Sequence, residues 1–380
     1  MNFFRENLIL DLRQRIDTEE ELERKLDLLR EFKSEHFNDI KKNEINDENL
    51  AEIFSKLSDL ADATLTISWE MALDALSKTY GFPTFLDNDG NLLRSQFAVI
   101  GMGKLGGREI HYGSDLDLIF LYNRNGDTEG RKVITNREFY IRATQKMISF
   151  LTVPTFRGVA YAIDTQLRPS GNQGALVSPL DSYADYQRNV AQAWEKQALL
   201  KARAVTGDES FLKILPDHFK QFIFSTDFPS NLNEEIHRLR TRMEIELAKE
   251  TPRRWHYKKG YGSLTDIEFA VQYLQLKMGK IFEFILDANT LQAIEKMGER
   301  DILKKEEYDI LKKAYLFYRT LELHLETQFE LKEGYLDPES HLLENIAESM
   351  GEFSAQSLIE HFDQTRHDVR KTYLRILKIS

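Results

Sequence analysis

The sequence predicts an α+β protein, with a small mixed sheet in the middle of the chain and helices on either side. Three observations predict it. Only 19 glycines and 8 prolines interrupt 380 residues, so turns are few and helix should dominate. Apolar residues recur at helical spacing up to about residue 80 and again from about Leu180 onward. Between these stretches stand three short apolar runs of strand length, each bounded by turn residues. The length exceeds one ordinary core, and the pattern boundaries suggest three parts. These are an N-terminal helical segment at 1–48, a sheet-containing domain at 49–210 and a C-terminal helical domain at 211–380.

Residues 1–48 read as polar helix, with Leu22, Leu26, Leu29 and Phe32 on one face. Helix continues over 49–80 through Leu50, Ile53, Phe54, Leu57, Leu60 and Ala61, until Gly81-Phe-Pro83 and Asp87-Asn-Asp-Gly90 break it. Gln96–Ile100, Asp115–Tyr122 and Val159–Arg168 are the strand candidates, with a helix at about Arg137–Leu151 between the last two. Helical periodicity then covers Ala191–Ala204, Leu232–Lys249, Thr265–Lys277, Asp287–Gly298, Lys305–Phe329 and Glu339–Leu377. The aromatic run Tyr308–Phe329 has the spacing of a buried helix face.

Composition excludes several classes. Zero cysteines remove disulfides, thiolate metal sites and thiol nucleophiles, and fit a reducing compartment. The longest apolar runs, Phe97–Ile100 and Leu118–Tyr122, fall far short of the roughly 20 residues of a membrane span. The opening MNFFRENLILDLRQR lacks the basic and apolar regions of a signal peptide, so a cytoplasmic location without membrane partners is expected. Fifty-one basic against 62 acidic residues give a net charge of −11, the wrong balance for a nucleic-acid binder. The nine histidines show no zinc spacing.

The chemistry concentrates in GMGKLGGREIHYGSDLDLIFLY (101–122). Gly101, Gly103 and Gly106 match a dinucleotide fingerprint literally, but its acidic residue belongs about 20 positions on, at the far end of the next strand. Asp115 and Asp117 come fourteen and sixteen residues after Gly101, at the near end. A P-loop fails twice, at Ala98 and Leu105. A Gly-Gly turn followed by Ser-Asp-x-Asp opening a strand is the nucleotidyltransferase arrangement. Residues i and i+2 of a strand share a face, so Asp115 and Asp117 present two carboxylates side by side. Unpaired, they repel; two Mg²⁺ ions remove that penalty and clamp an in-line phosphoryl displacement. Gly103, Gly106 and Gly107 would let backbone N–H groups at a helix start approach a polyphosphate, with Lys104 and Ser114 as further contacts. Asp164 stands in the third apolar run between Ile163 and Leu167, where a carboxylate is costly unless paired or metal-bound. With the third strand beside the second, it completes a three-carboxylate metal site.

These residues carry a family likeness. The run 101–122, then YAIDTQLRPSG (161–171), DYQRNVAQAWEKQALLKARAVTGD (185–208) and GSLTDIEFAVQYLQL (262–276), resembles glutamine synthetase adenylyltransferase, of the polymerase-β-like nucleotidyltransferases. The resemblance covers roughly residues 20–375 and amounts to about one half of that bifunctional enzyme. It implies the polymerase-β-like type of sheet, ATP as substrate, Mg²⁺ on Asp115, Asp117 and Asp164, and transfer of AMP to a tyrosine of glutamine synthetase. Gly106, Gly107 and Ser114 would lie at the triphosphate, and a PII signalling protein is an implied regulator. The wording RPSG, DYQRN and TDIEF is similar to the adenylylating half. The adenylyl-removing half, using phosphate to release ADP, is the alternative, and a degenerate nucleotide-binding regulatory module a further one. Two departures stand out: Gln166 where the family usually has Arg, with Arg168 left to serve the phosphates, and His256 where it commonly has Asp.

Bland readings cover other residues. Thr265 and Glu268 match a capping box, with Asp266 between them. Lys201 and Arg203 could face a leaving pyrophosphate or lie as snorkelling surface side chains. Trp194 and Glu195 are expected to pack and pair.

Overall fold

A computed structural model describes residues 3–331 and 333–379, in which the chain divides into two units. One comprises Met1–Lys42, Ile53–Ile110 and Ser114–Ser225; the other comprises Asn43–Glu52, His111–Gly113 and Thr226–Ser380.

In the first unit, the polar N-terminal stretch forms two helices, α1 (Phe3–Asp17) and α2 (Leu22–Lys41). The break is local chemistry: the Glu19 carboxylate accepts the N–H groups of Glu20 and Glu21, at 2.8 and 3.0 Å, and ends helical pairing there. Leu8, Leu12 and Ile16 of α1 pack with Leu29 and Phe32 of α2 against Leu60, Ala63 and Ile67. Those last three belong to α3 (Leu50–Tyr80), which is buried all round from Leu57 to Trp69, as a helix with apolar residues on every face must be.

A short hairpin follows, β1 (Thr84–Leu86) and β2 (Leu92–Arg94), turned by the Asp87 side chain and by Gly90 at φ +79°. Then come β3 (Phe97–Gly101), α4 (Gly103–Gly106), β4 (Leu116–Tyr122), α5 (Asn136–Thr152) and β5 (Ile163–Asp164). β6 (Val177–Pro179), α6 (Leu180–Asn189), α7 (Ala193–Leu199), β7 (Arg203–Gly207) and α8 (Glu209–Ile223) complete the unit. The mixed five-stranded sheet runs β5-β4-β3-β7, with β6 also on β4. β3 is antiparallel to β4 and β7, while β5 and β6 run parallel to β4. Trp69 stacks on Phe97 at 3.9 Å between ring centres, and Tyr140 joins the stack while donating its hydroxyl to Ser95 O at 2.8 Å.

One strand and one helix expectation need correction. Val159–Arg168 yields only the two residues of β5, because the chain turns directly after Asp164. Its Oδ1 takes the Gln166 N–H at 2.7 Å, and the Arg168 guanidinium folds back on Thr165 O. The helix expected over Ala191–Ala204 ends at Leu199, and β7 pairs with β3 to satisfy its backbone groups on the sheet edge.

The second unit is helical: α9 (Leu232–Met243) running into a π turn (Glu244–Ala248), α10 (Leu264–Met278), α11 (Thr290–Glu299), α12 (Lys305–Thr327), α13 (Leu343–Ser349) and α14 (Ala355–Leu377). The capping-box expectation fails here. Ser263 is the N-cap residue, Thr265 donates instead to Lys258 O at 2.6 Å, and Asp266 is buried in an ion cluster with Arg240 (2.6 Å) and Arg370 (3.4 Å). His256 is buried, and desolvation, then the cations Arg254, Lys259, Lys258 and Arg240, push its pKa down to about 4, so it is neutral at physiological pH. No helix of the described residues is long and apolar enough to cross a membrane.

Candidate active site

β4 is buried at every residue but Asp117, which is half-buried, and Asp115 lies exposed just ahead of the strand. Parallel pairing sets β5 against the first two residues of β4, Leu116 opposite Ile163 and Asp117 opposite Asp164. Leu116 donates its N–H to Ala162 O at 2.9 Å, which fixes that register. The three acids of the sequence pattern therefore gather at one end of the sheet. Burial first, then the charges of Asp115 and Asp164, push the Asp117 carboxyl up to about 7 against a smaller opposing pull from Lys104.

The glycine turn is built around the same residue. Met102 donates its N–H to Asp117 O at 2.9 Å and caps α4. Gly103 has φ +51°, and a Cβ there would lie 2.5 Å from Asp117 Oδ2, so a missing side chain keeps the face of that carboxylate open. Gly106 and Gly107 close this turn rather than opening a helix. Their N–H groups bond Met102 O (3.0 Å) and Gly103 O (3.1 Å), which corrects the expectation that they present donors at a helix start. Gly106 serves close packing instead: a Cβ on it would meet Lys201 O at 1.6 Å.

Lys201 and Arg203 brace the turn from behind, each engaged with a buried acid. Lys201 is buried in an ion pair with buried Glu109. Arg203 grips Asp62 through both terminal nitrogens, at 2.7 and 2.9 Å, and donates to Leu105 O at 2.9 Å. Arg168 donates to Thr165 O at 2.7 Å and to Gly174 O at 3.3 Å, and so shapes the turn after β5. Glu195 accepts from the Tyr186 hydroxyl at 2.7 Å. Trp194, expected to pack, is 41% exposed.

One cluster had no counterpart in the sequence reading. In the helical unit, His111, Glu322 and Glu326 bring three ligand atoms within 4.8 Å of one another; among the described residues they form the one such group. Glu322 and Glu326 lie one turn apart on α12, which their spacing could have signalled; His111, 215 residues from Glu326, carries no such mark.

Hard oxygen donors suit Mg²⁺, and a carboxyl held near 7 is relieved by a proton or by a cation. A cation binding at Asp117 must displace its proton, so apparent Mg²⁺ affinity should fall about tenfold per pH unit below 7 and level off above it. Calorimetric titration in two buffers of different ionisation enthalpy reads affinity and proton release together; affinity independent of pH would take Asp117 out of the ion's shell.

A mixed sheet that carries one acid on a strand, a second just ahead of it and a third in parallel register beside it, under a glycine turn, defines an α+β domain of nucleotidyltransferase type. Comparison with known proteins narrows the class. The family model described as Glutamate-ammonia ligase adenylyltransferase matches residues 5–214, and that described as GlnD PII-uridylyltransferase matches residues 231–377. Three curated relatives are each named bifunctional glutamine synthetase adenylyltransferase/adenylyl-removing enzyme. That of Hahella chejuensis is 33% identical over 80% of this chain, that of Mannheimia haemolytica 34% over 81%, and that of Acinetobacter baylyi 31% over 78%. The chain belongs to the glutamate-ammonia ligase adenylyltransferase family. It spans about a third of the length of the curated relatives it matches, covering 32%, 32% and 33% of them.

Proposed function

We propose that this chain transfers AMP from ATP to a tyrosine of glutamine synthetase, in the cytoplasm, with release of pyrophosphate. The pairing of Asp117 with Asp164 across β4 and β5 is the observation that carries the reading. Asp115, Asp117 and Asp164 would hold Mg²⁺, as two ions, which supply neutralisation of phosphoryl charge when bound. Lys104 and Ser114 orient the triphosphate from the turn and the strand entrance, and Gly103 leaves Asp117 accessible. The tyrosine oxygen forms a bond to the α-phosphorus as the bond to the β-phosphate oxygen breaks. Asp164 takes the hydroxyl proton, its other oxygen being held by the Gln166 N–H. Positioning and electrostatics carry most of the rate, since phosphoryl transfer leaves little covalent work for side chains.

The relatives' printed name joins adenylylation to adenylyl removal, which favours one second reading: phosphate attacks the AMP–tyrosine bond at the same carboxylates and ADP leaves. The match of 231–377 to a family named for PII uridylylation supports a PII protein as a regulatory partner. Incubation with labelled ATP and unmodified glutamine synthetase, beside adenylylated glutamine synthetase with phosphate, decides between directions. Label incorporation faster than ADP release supports adenylylation; the reverse order supports removal, and neither product defeats both.

A further inference from the structure

The helical unit includes His111, Tyr112 and Gly113, the three residues that lead into Ser114 and Asp115. Two carboxylates of α12 hold them. His111 Nδ1 lies 2.7 and 2.9 Å from the two oxygens of Glu326, and its Nε2 lies 3.3 Å from Glu322 Oε1. Gly113 donates its N–H to Glu326 Oε2 at 3.3 Å, and a Cβ at 113 would stand 2.9 Å from Glu326 Oε1, so glycine lets the loop close on the carboxylate.

Both glutamate side chains are fully buried, which is costly without compensation. Lys258 Nζ supplies it at 2.8 Å from Glu322 and 3.7 Å from Glu326, and Arg319 pairs with Glu322. Two carboxylates against a lysine and an arginine balance within the protein. The cluster is thus a clamp on the loop rather than a seat for a cation.

We infer that Glu326 and His111 are positioning residues for the reaction: they fix the backbone at Gly113, and through the chain the position of Asp115, two residues on. The inference rests on the adenylyl-transfer reading. Its physical content is that a misplacement of about 1 Å at reacting groups costs on the order of 10²-fold in rate. α12, whose residues 314–315 and 317–327 are buried, is a rigid element on which His111 and Gly113 are held.

The test uses the full chain with Glu326→Ala, Glu326→Gln and His111→Asn. Glu326→Ala should lower kcat about 100-fold with the KM for ATP nearly unchanged, and should speed hydrogen exchange at amides 111–117 in ligand-free protein while α12 keeps its protection. Glu326→Gln, whose amide oxygen still accepts from Gly113, should restore most of both; should the alanine variant not fold, it and His111→Asn decide. Wild-type exchange and kcat in Glu326→Ala would overturn the clamp, as would a glutamine variant no better than alanine. Mn²⁺ binding by Asp117→Asn that disappears on adding Glu326→Ala would overturn it in favour of a cation site. A wild-type chain without AMP transfer would defeat the adenylyl-transfer reading alone, and the exchange measurement would still judge the clamp.

Discussion

Asp117→Asn should lower AMP transfer by about 10²- to 10³-fold, the scale of losing one preorganised electrostatic contact, while raising the metal-free melting temperature. The two effects share a cause. Asp117 is the one charged residue in an otherwise buried strand, set beside Asp164 and two residues from Asp115. Ionised without a cation, it is opposed by burial and by both neighbours, which hold its carboxyl near 7. The unfolded chain ionises it near the ordinary 3.8, so between these values the folded state binds more protons and stability falls as pH rises. The penalty is absent below about pH 4 and complete above about pH 7. Asn keeps the shape and removes the charge. Its stabilisation should vanish in acid and reach several degrees at slightly alkaline pH, the shift from 3.8 to about 7 setting a ceiling of about 4 kcal/mol. Excess Mg²⁺ should erase the difference by stabilising the wild type alone. Calorimetric melting with and without Mg²⁺, beside transfer rates, checks it. An Asn variant that melts earlier than wild type at alkaline pH would mean the carboxylate is stabilising as it stands.

The parts legible in the sequence were those whose signal is local. β3 and β4 are unbroken apolar runs ended by glycines or opened by Ser-Asp, and periodicity alone found α3, α5 and α12. β7 escaped because Ala198–Ala204 continues a helical pattern; its pairing with β3 is a tertiary fact. At β5 the apolar run predicts a longer strand than forms, since the Asp164 side chain turns the chain back at once. The acids Asp115, Asp117 and Asp164 were legible because a carboxylate among apolar strand residues is conspicuous.

What surrounds them was not legible. Lys201 meets Glu109 from 92 residues away, Arg203 meets Asp62 from 141, and His111 meets Glu326 from 215. No spacing rule reaches that far. A lysine and an arginine two residues apart within a helical pattern read as surface or phosphate contacts, whereas they hold the back of the glycine turn. Asp266 likewise looked like a capping-box neighbour until Arg240 and Arg370 were found on it.

Gly106→Ala is expected to act on stability rather than on ATP recognition, because of what lies behind the turn. The added Cβ would sit 1.6 Å from Lys201 O. A side chain could swing aside, but this oxygen belongs to the main chain immediately before β7, and Lys201 is anchored by Glu109. The α4 turn and the segment leading to β7 must separate, costing about 3 kcal/mol or more as severe overpacking and lowering the melting temperature by roughly 10 °C. Arg203, which bonds Leu105 O and Asp62 together, should loosen with it. The Gly106 N–H is already given to Met102 O, so the protein that remains folded should bind ATP with a KM close to wild type. Melting curves and kinetics at a temperature well below the transition separate the two roles. A variant of wild-type stability whose KM for ATP rises tenfold would return Gly106 to the phosphates, and the glycine turn would then act through its backbone donors after all.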